Sequence, residues 1–153
     1  MKWYLRDTTE ADWDAAEAAT AALYRFAGIS PPERFIRVRN PVTASQMGRE
    51  IEPMGNMFFA PSWAPVAAVR ERRGDCQPLV DLLLACGGVY PTKQVAILID
   101  RPSVISLDSA GLLHSPDGHS PAIAWGRDPT TGLISDQDPE YLGLGYKHGK
   151  RLY

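Results

Sequence analysis

QVAILID, residues 94 to 100, restricts the fold more than any other stretch of this chain. Val95 to Ile99 is a continuous apolar run with no polar residue at every second position, so a strand formed there needs cover on both faces. Arg101-Pro102 ends it, because the residue before a proline is restricted sterically. The longest strongly apolar run, Leu79 to Cys86, is interrupted by Asp81. It falls far short of the ~20 residues that a spanning helix requires. The sequence around residues 94–100 therefore has to supply covering elements.

Helical candidates precede the run. Asp7-x-x-Glu10 has the form of a capping box, and the alanine-rich stretch after it reaches Gly28, a good left-handed stop. A helix from about Thr8 to Ala27 is predicted, with Trp13, Ala16, Thr20, Leu23 and Ala27 on one face and Phe26 beside them. Ser30-Pro31-Pro32 breaks the chain, and RFIRVR predicts a strand at about Arg34 to Val38. Asn40-Pro41 pairs a capping residue with proline at the first helical position, which predicts a helix to about Ile51. Ala64 to Arg73 reads as a short helix whose Arg-Glu-Arg-Arg end suits the negative pole of the helix dipole. Asp75 offers a cap for a further helix carrying Leu79, Leu82, Leu83 and Ala85, closed by Gly87-Gly88.

After the apolar run, VISL, GLLH, PAIAW and YLGLGYK are short extended segments. They are separated by Asp-Ser-Ala-Gly, Ser-Pro-Asp-Gly and Gly-Arg-Asp-Pro-Thr-Thr-Gly, all turn chemistry. Helices first and a β-meander last predict an α+β fold, with N-terminal helices packed on one side of a mainly antiparallel C-terminal β-meander sheet. A chain of 153 residues fits a single domain over 1–153, helix-rich to about 90 and β-meander from about 91.

Composition narrows the function classes. Hydrophobic residues make up 44% and charged residues 22%, a globular balance that argues against disorder. Sixteen Lys and Arg against eighteen Asp and Glu give a net charge of -2, which removes the electrostatic basis of non-specific nucleic-acid binding. MKWYLRDTTEADWD carries acids where a secretion signal has an apolar stretch, so a cytoplasmic protein without membrane attachment is expected. Cys76 and Cys86, the only cysteines, are too few for a disulfide framework and read as reduced thiols.

Two regions are candidate sites. His114-x-x-Asp117-x-His119 has imidazole and carboxylate ligands suited to zinc or a similar ion, possible centre of a metal-dependent hydrolase, with Asp108 as a further ligand. The same residues are explained by a turn in which Pro116 sets φ, Gly118 takes positive φ, and Asp117 bonds nearby amides. That reading is preferred, and neither metal nor cofactor is expected. The other region is EPMGNMFFAPSWAP, residues 52 to 65. There Met57, Phe58, Phe59 and Trp63 are side-chain types that anchor protein interfaces, and also types that fill irregular core space. A Cys-His nucleophile lacks any local motif here, and Gly143-Leu144-Gly145 lacks the strand-to-helix context of a phosphate loop. Lys147, His148, Lys150 and Arg151 offer contacts to an anion, but are more simply explained as a solvated edge whose charges discourage strand pairing.

The segment QVAILIDRPSVISLDSAGLLHSPDGHSPAIAW with YLGLGYKHGKRLY resembles an uncharacterised bacterial, mainly actinobacterial, domain family of unknown function. The residues that carry the resemblance are Arg101 and Pro102, Asp108 and Gly111, Leu113 and His114, Asp117 and Gly118, Pro121 and Ala122, then Tyr146, His148, Gly149 and Arg151. ISPPERFIRVRNPVTA is similar to the family's upstream strand and helix start. The chain departs from the family where His119-Ser120 interrupts Asp-Gly-Pro-Ala, and in the longer loop from Arg127 to Pro139. The Leu-His and Asp-Gly-Pro-Ala pattern is also similar to MORN-like hairpin repeats, which serve as structural and binding modules. The resemblance implies architecture without an activity. Together with the residues it leads to a non-catalytic, cytoplasmic protein-interaction or regulatory module, acting by self-association or on a protein partner, its short form compatible with a phage or other mobile element.

Overall fold

The computed structural model describes residues 8–51, 77–126 and 128, and the backbone of 141–144, 146–147 and 150–151. The chain divides into two compact units, Ala11–Asp100 and Arg101–Tyr153 with Met1–Glu10. The anticipated helix at 64–73, the cap at Asp75, Cys76 and the apolar loop of 52–65 lie outside the described residues.

In the first unit α1 spans Trp13–Phe26. It starts five residues later than its sequence suggests, because the cap is Asp12 rather than Asp7: the Asp12 carboxylate accepts from Ala15 N at 3.1 Å. The approach to the helix is held from elsewhere in the unit. Ala11 N donates to Asp100 Oδ1 at 3.0 Å and Asp12 N donates to Ala85 O at 2.8 Å. These bonds satisfy main-chain donors that a longer helix would otherwise leave at its own end.

β1 spans Arg34–Val38 and α2 spans Pro41–Ile51, both at their anticipated positions. The buried Asn40 caps α2, its Oδ1 accepting from Thr43 N at 2.8 Å. α3 covers Gln77–Ala85, β2 Gly88–Pro91 and β3 Val95–Ile99. The sheet order is β1-β3-β2, with β1 parallel and β2 antiparallel to the central β3.

The two faces of β3 explain the apolar run. Leu98 joins the α1 and α3 side with Ala16, Ala19, Leu23, Leu82 and Ala85, and Phe35 and Val89 pack there too. Ile97 points the other way, into a cluster with Val38 and Ala44 against which Ile36, Met47 and Tyr90 pack. Strand alternation thus splits one apolar stretch between two cores. Ala96, Ile97 and Leu98 are all fully buried. The α+β class holds, and the layering is specific: α1 with α3 covers one face of a mixed sheet, and α2 covers the other.

The second unit is the meander. β4 spans Val104–Ile105, β5 Ile123–Gly126 and β6 Tyr141–Leu144, paired antiparallel in the order β4-β5-β6. β7, Tyr146–Lys147, and β8, Lys150–Arg151, form a separate antiparallel ladder. Ala122, Ile123 and Ala124 are buried. Within this unit Arg101 Nη1 donates to Thr9 Oγ1 at 2.8 Å and to Glu10 O at 2.9 Å, tying the segment before α1 to the start of the meander. No helix among the described residues is long and apolar enough to cross a membrane.

Candidate functional site

The loops of the meander unit are built by two aspartates that act on main chain. Asp108 Oδ1 accepts from Ala110 N and Leu112 N, both at 2.9 Å, while Gly111 takes φ +76°. An isolated bridge pairs Leu107 with Leu113 across this turn. An L side chain at a φ that positive is strained, which is why glycine stands there.

Asp117 repeats the device nine residues on. Its Oδ1 accepts from His119 N at 2.8 Å and from Ser120 N at 2.6 Å, and its Oδ2 accepts from the Ser120 hydroxyl at 2.7 Å. Gly118 carries φ +76°. The Ser120 hydroxyl, followed by the Ser120 and His119 amides, holds the Asp117 carboxyl well below the ordinary carboxylate range. Hydrogen bonds to the ionised form lower a pKa in this way without any metal or counter-charge. His114 N donates to Ser106 O at 3.0 Å, so its main chain belongs to the meander ladder. Among the described residues no group of three or more His, Cys, Asp or Glu is placed to hold a metal ion, and His114, Asp117, His119 and Asp108 form none.

The candidate partner residues Met57, Phe58, Phe59 and Trp63 lie outside the described residues. Exposed apolar side chains among the described residues include Val42 and Ile51 on α2 and Val104 and Leu112 in the meander unit, and the pair that stands one turn apart on a single helix is on α3. Leu79, Leu82 and Ala85 face α1 and its core, while Val80 and Leu84, one turn apart, are 39% and 49% exposed. The run QPLVDLLLA is apolar around most of its circumference, so packing one face leaves a second apolar stripe outward. The run of leucines signals this in the sequence, but which leucine would stay outside is not readable from spacing alone.

Other polar features are structural. Arg37 Nε and Nη2 donate to Glu17 Oε1 at 3.1 and 2.8 Å, and its guanidinium lies 5.7 Å from the Trp13 ring centroid, fastening β1 to α1. Tyr24 is buried, and its hydroxyl donates to Thr92 O at 2.7 Å, a bond across 68 residues that no local pattern announces. Cys86 is a buried thiol in no disulfide, and its Sγ donates to Gly88 O at 3.3 Å. Thr20 Oγ1, Thr43 Oγ1 and Gln46 Oε1 are buried without hydrogen-bond partners. Thr20 sits on α1 and the other two on α2, opposite sides of the sheet, so they do not converge on one site.

No family model, curated protein or solved structure matches the chain.

Proposed function

We propose that the protein is a non-catalytic, cytoplasmic interaction or regulatory module of bacterial origin that works by contact with another polypeptide. The observation that carries this reading is the outward face of α3, where Val80 and Leu84 stand exposed at i and i+4 on a helix whose inner face is already packed. Residues at that spacing are neighbours on a helix surface and are the anchors by which an apolar groove holds a helix. In the sequence, Met57, Phe58, Phe59 and Trp63 are further side chains of interface type. The turn duties of Asp108 and Asp117 fit this reading, because both carboxylates shape loops.

The test is partner retention. In the full-length protein, Val80→Lys with Leu84→Lys is expected to leave circular dichroism and melting unchanged and to abolish co-purification of the partner. Retention of the same partner by that variant removes α3 from the contact. Phe59→Ser and Trp63→Ser are expected to weaken association while the protein stays folded; unfolding of both would place those residues in the core.

A further inference from the structure

We propose that two copies of the protein associate through the outer edge of β1, antiparallel and centred on Ile36, joining their three-stranded sheets into one. The proposal rests on the reading that the protein works by contact with another polypeptide, and goes beyond the α3 contact by taking a second copy of the chain as partner and the β1 edge as a separate surface.

Among the described residues the order β1-β3-β2 leaves two edges, and they differ. Thr92 N donates to Val95 O at 2.9 Å, so by alternation Tyr90 and Gly88 also face β3, and Val89 and Pro91 turn outward. Proline has no N–H, which blunts that edge. On the other side Asp100 N donates to Val38 O at 2.8 Å. Val38, Ile36 and Arg34 therefore direct their main chain at β3, and Phe35 and Arg37 present N–H and C=O outward. β1 contains no proline, and its Arg34 and Arg37 are exposed.

Two outward residues separated by one inward residue are self-complementary when the second strand runs antiparallel. Phe35 faces Arg37 of the second copy and the reverse, each pair exchanging two hydrogen bonds. Ile36 meets Ile36 of the second copy at the close, non-bonded position between them. Centring on Phe35 instead keeps only that residue's self-pair, because Glu33 N already donates to Gln94 O. Centring on Arg37 sets like charges opposite one another, which is unfavourable. The Ile36 register also brings the exposed Glu33 of each copy opposite the exposed Arg39 of the other, a favourable charge pair at each end of the ladder. An isologous pairing of this kind closes at two copies and leaves no sticky β1 edge.

Sedimentation of the full-length protein over a dilution series is expected to show a monomer–dimer equilibrium. Arg37→Pro deletes an outward N–H that β3 does not use, and is expected to give a monomer with unchanged far-ultraviolet circular dichroism. Should that variant unfold, surface charges still decide: Glu33→Arg weakens the dimer by on the order of tenfold. Combining it with Arg39→Glu restores the association. A wild-type protein that stays monomeric at every concentration overturns the proposal, as does a dimer indifferent to Glu33→Arg. A dimer that ignores Glu33→Arg and dissociates with Val80→Lys and Leu84→Lys overturns β1 pairing while supporting the α3 contact, which separates the two readings.

Discussion

At the scale of single residues, Asp108, Asp117 and Asn40 are each fixed by the main chain beside them. Asp117 binds two amides and a hydroxyl within three residues of itself. Asp117→Ala is expected to accelerate amide exchange at His119 and Ser120 and to leave the rest of the exchange profile unchanged. The pH dependence follows from the direction of the shift. Because the folded-state pKa is depressed, the contribution of this turn is full above the ordinary carboxylate range. It declines as pH falls below that range and is lost only on passing the lower folded-state value. Protection of the Ser120 amide, corrected for intrinsic exchange, should therefore persist at acid pH where ordinary carboxylates are already protonated. Asn40 does equivalent work at α2, in a buried setting. Asn40→Ala is expected to cost about 1 kcal/mol in urea unfolding, the usual loss for an N-cap.

At the scale of elements, the decisive contacts are between a helix and the strand beneath it. A Cβ at Gly48 would overlap the Tyr90 ring, so α2 approaches β2 as closely as it does because residue 48 has no side chain. Gly48→Ala gains helix propensity but must displace that ring, and a net loss of on the order of 1 kcal/mol is expected by chemical denaturation. Leu98 on β3 is fully buried between α1 and α3. Leu98→Ala is expected to cost about 2–5 kcal/mol, the range for a leucine-sized cavity. Elements with local signals were legible: β1 from its flanking breakers, α2 from Asn40-Pro41, and β3 from its unbroken apolar run. β2 was not legible, since Gly88-Val89-Tyr90-Pro91 is too short to show a period and becomes a strand only by pairing with β3. The start of α1 was misplaced because Asp7 and Asp12 both offer a cap, and the bonds of Ala11 to Asp100 and Asp12 to Ala85 choose between them.

At the scale of the whole molecule, stability should be distributed unevenly, with β3 at the centre of its sheet and two-residue strands such as β4 at the margins. Hydrogen exchange is expected to be slowest at Ile97 and Leu98 and fast at Val104. If β1 pairs with itself, the melting temperature also rises with protein concentration by mass action. The candidate sites were only partly readable. The turn chemistry around Asp117 was visible because Pro116, Asp117 and Gly118 are adjacent, and the exposure of Val80 and Leu84 was not, because it depends on where α1 lies. By itself the sequence determined the class of the fold, the positions of β1, α2 and β3, and the glycine-aspartate turns, all of which follow from torsional preference and short-range hydrogen bonding. The tertiary structure alone decided that β1 and β3 run parallel, that one apolar strand serves two cores, and which face of α3 stays outside. Those outcomes are set by contacts between residues tens of positions apart, and spacing along a chain carries no information about which distant surfaces exclude water together.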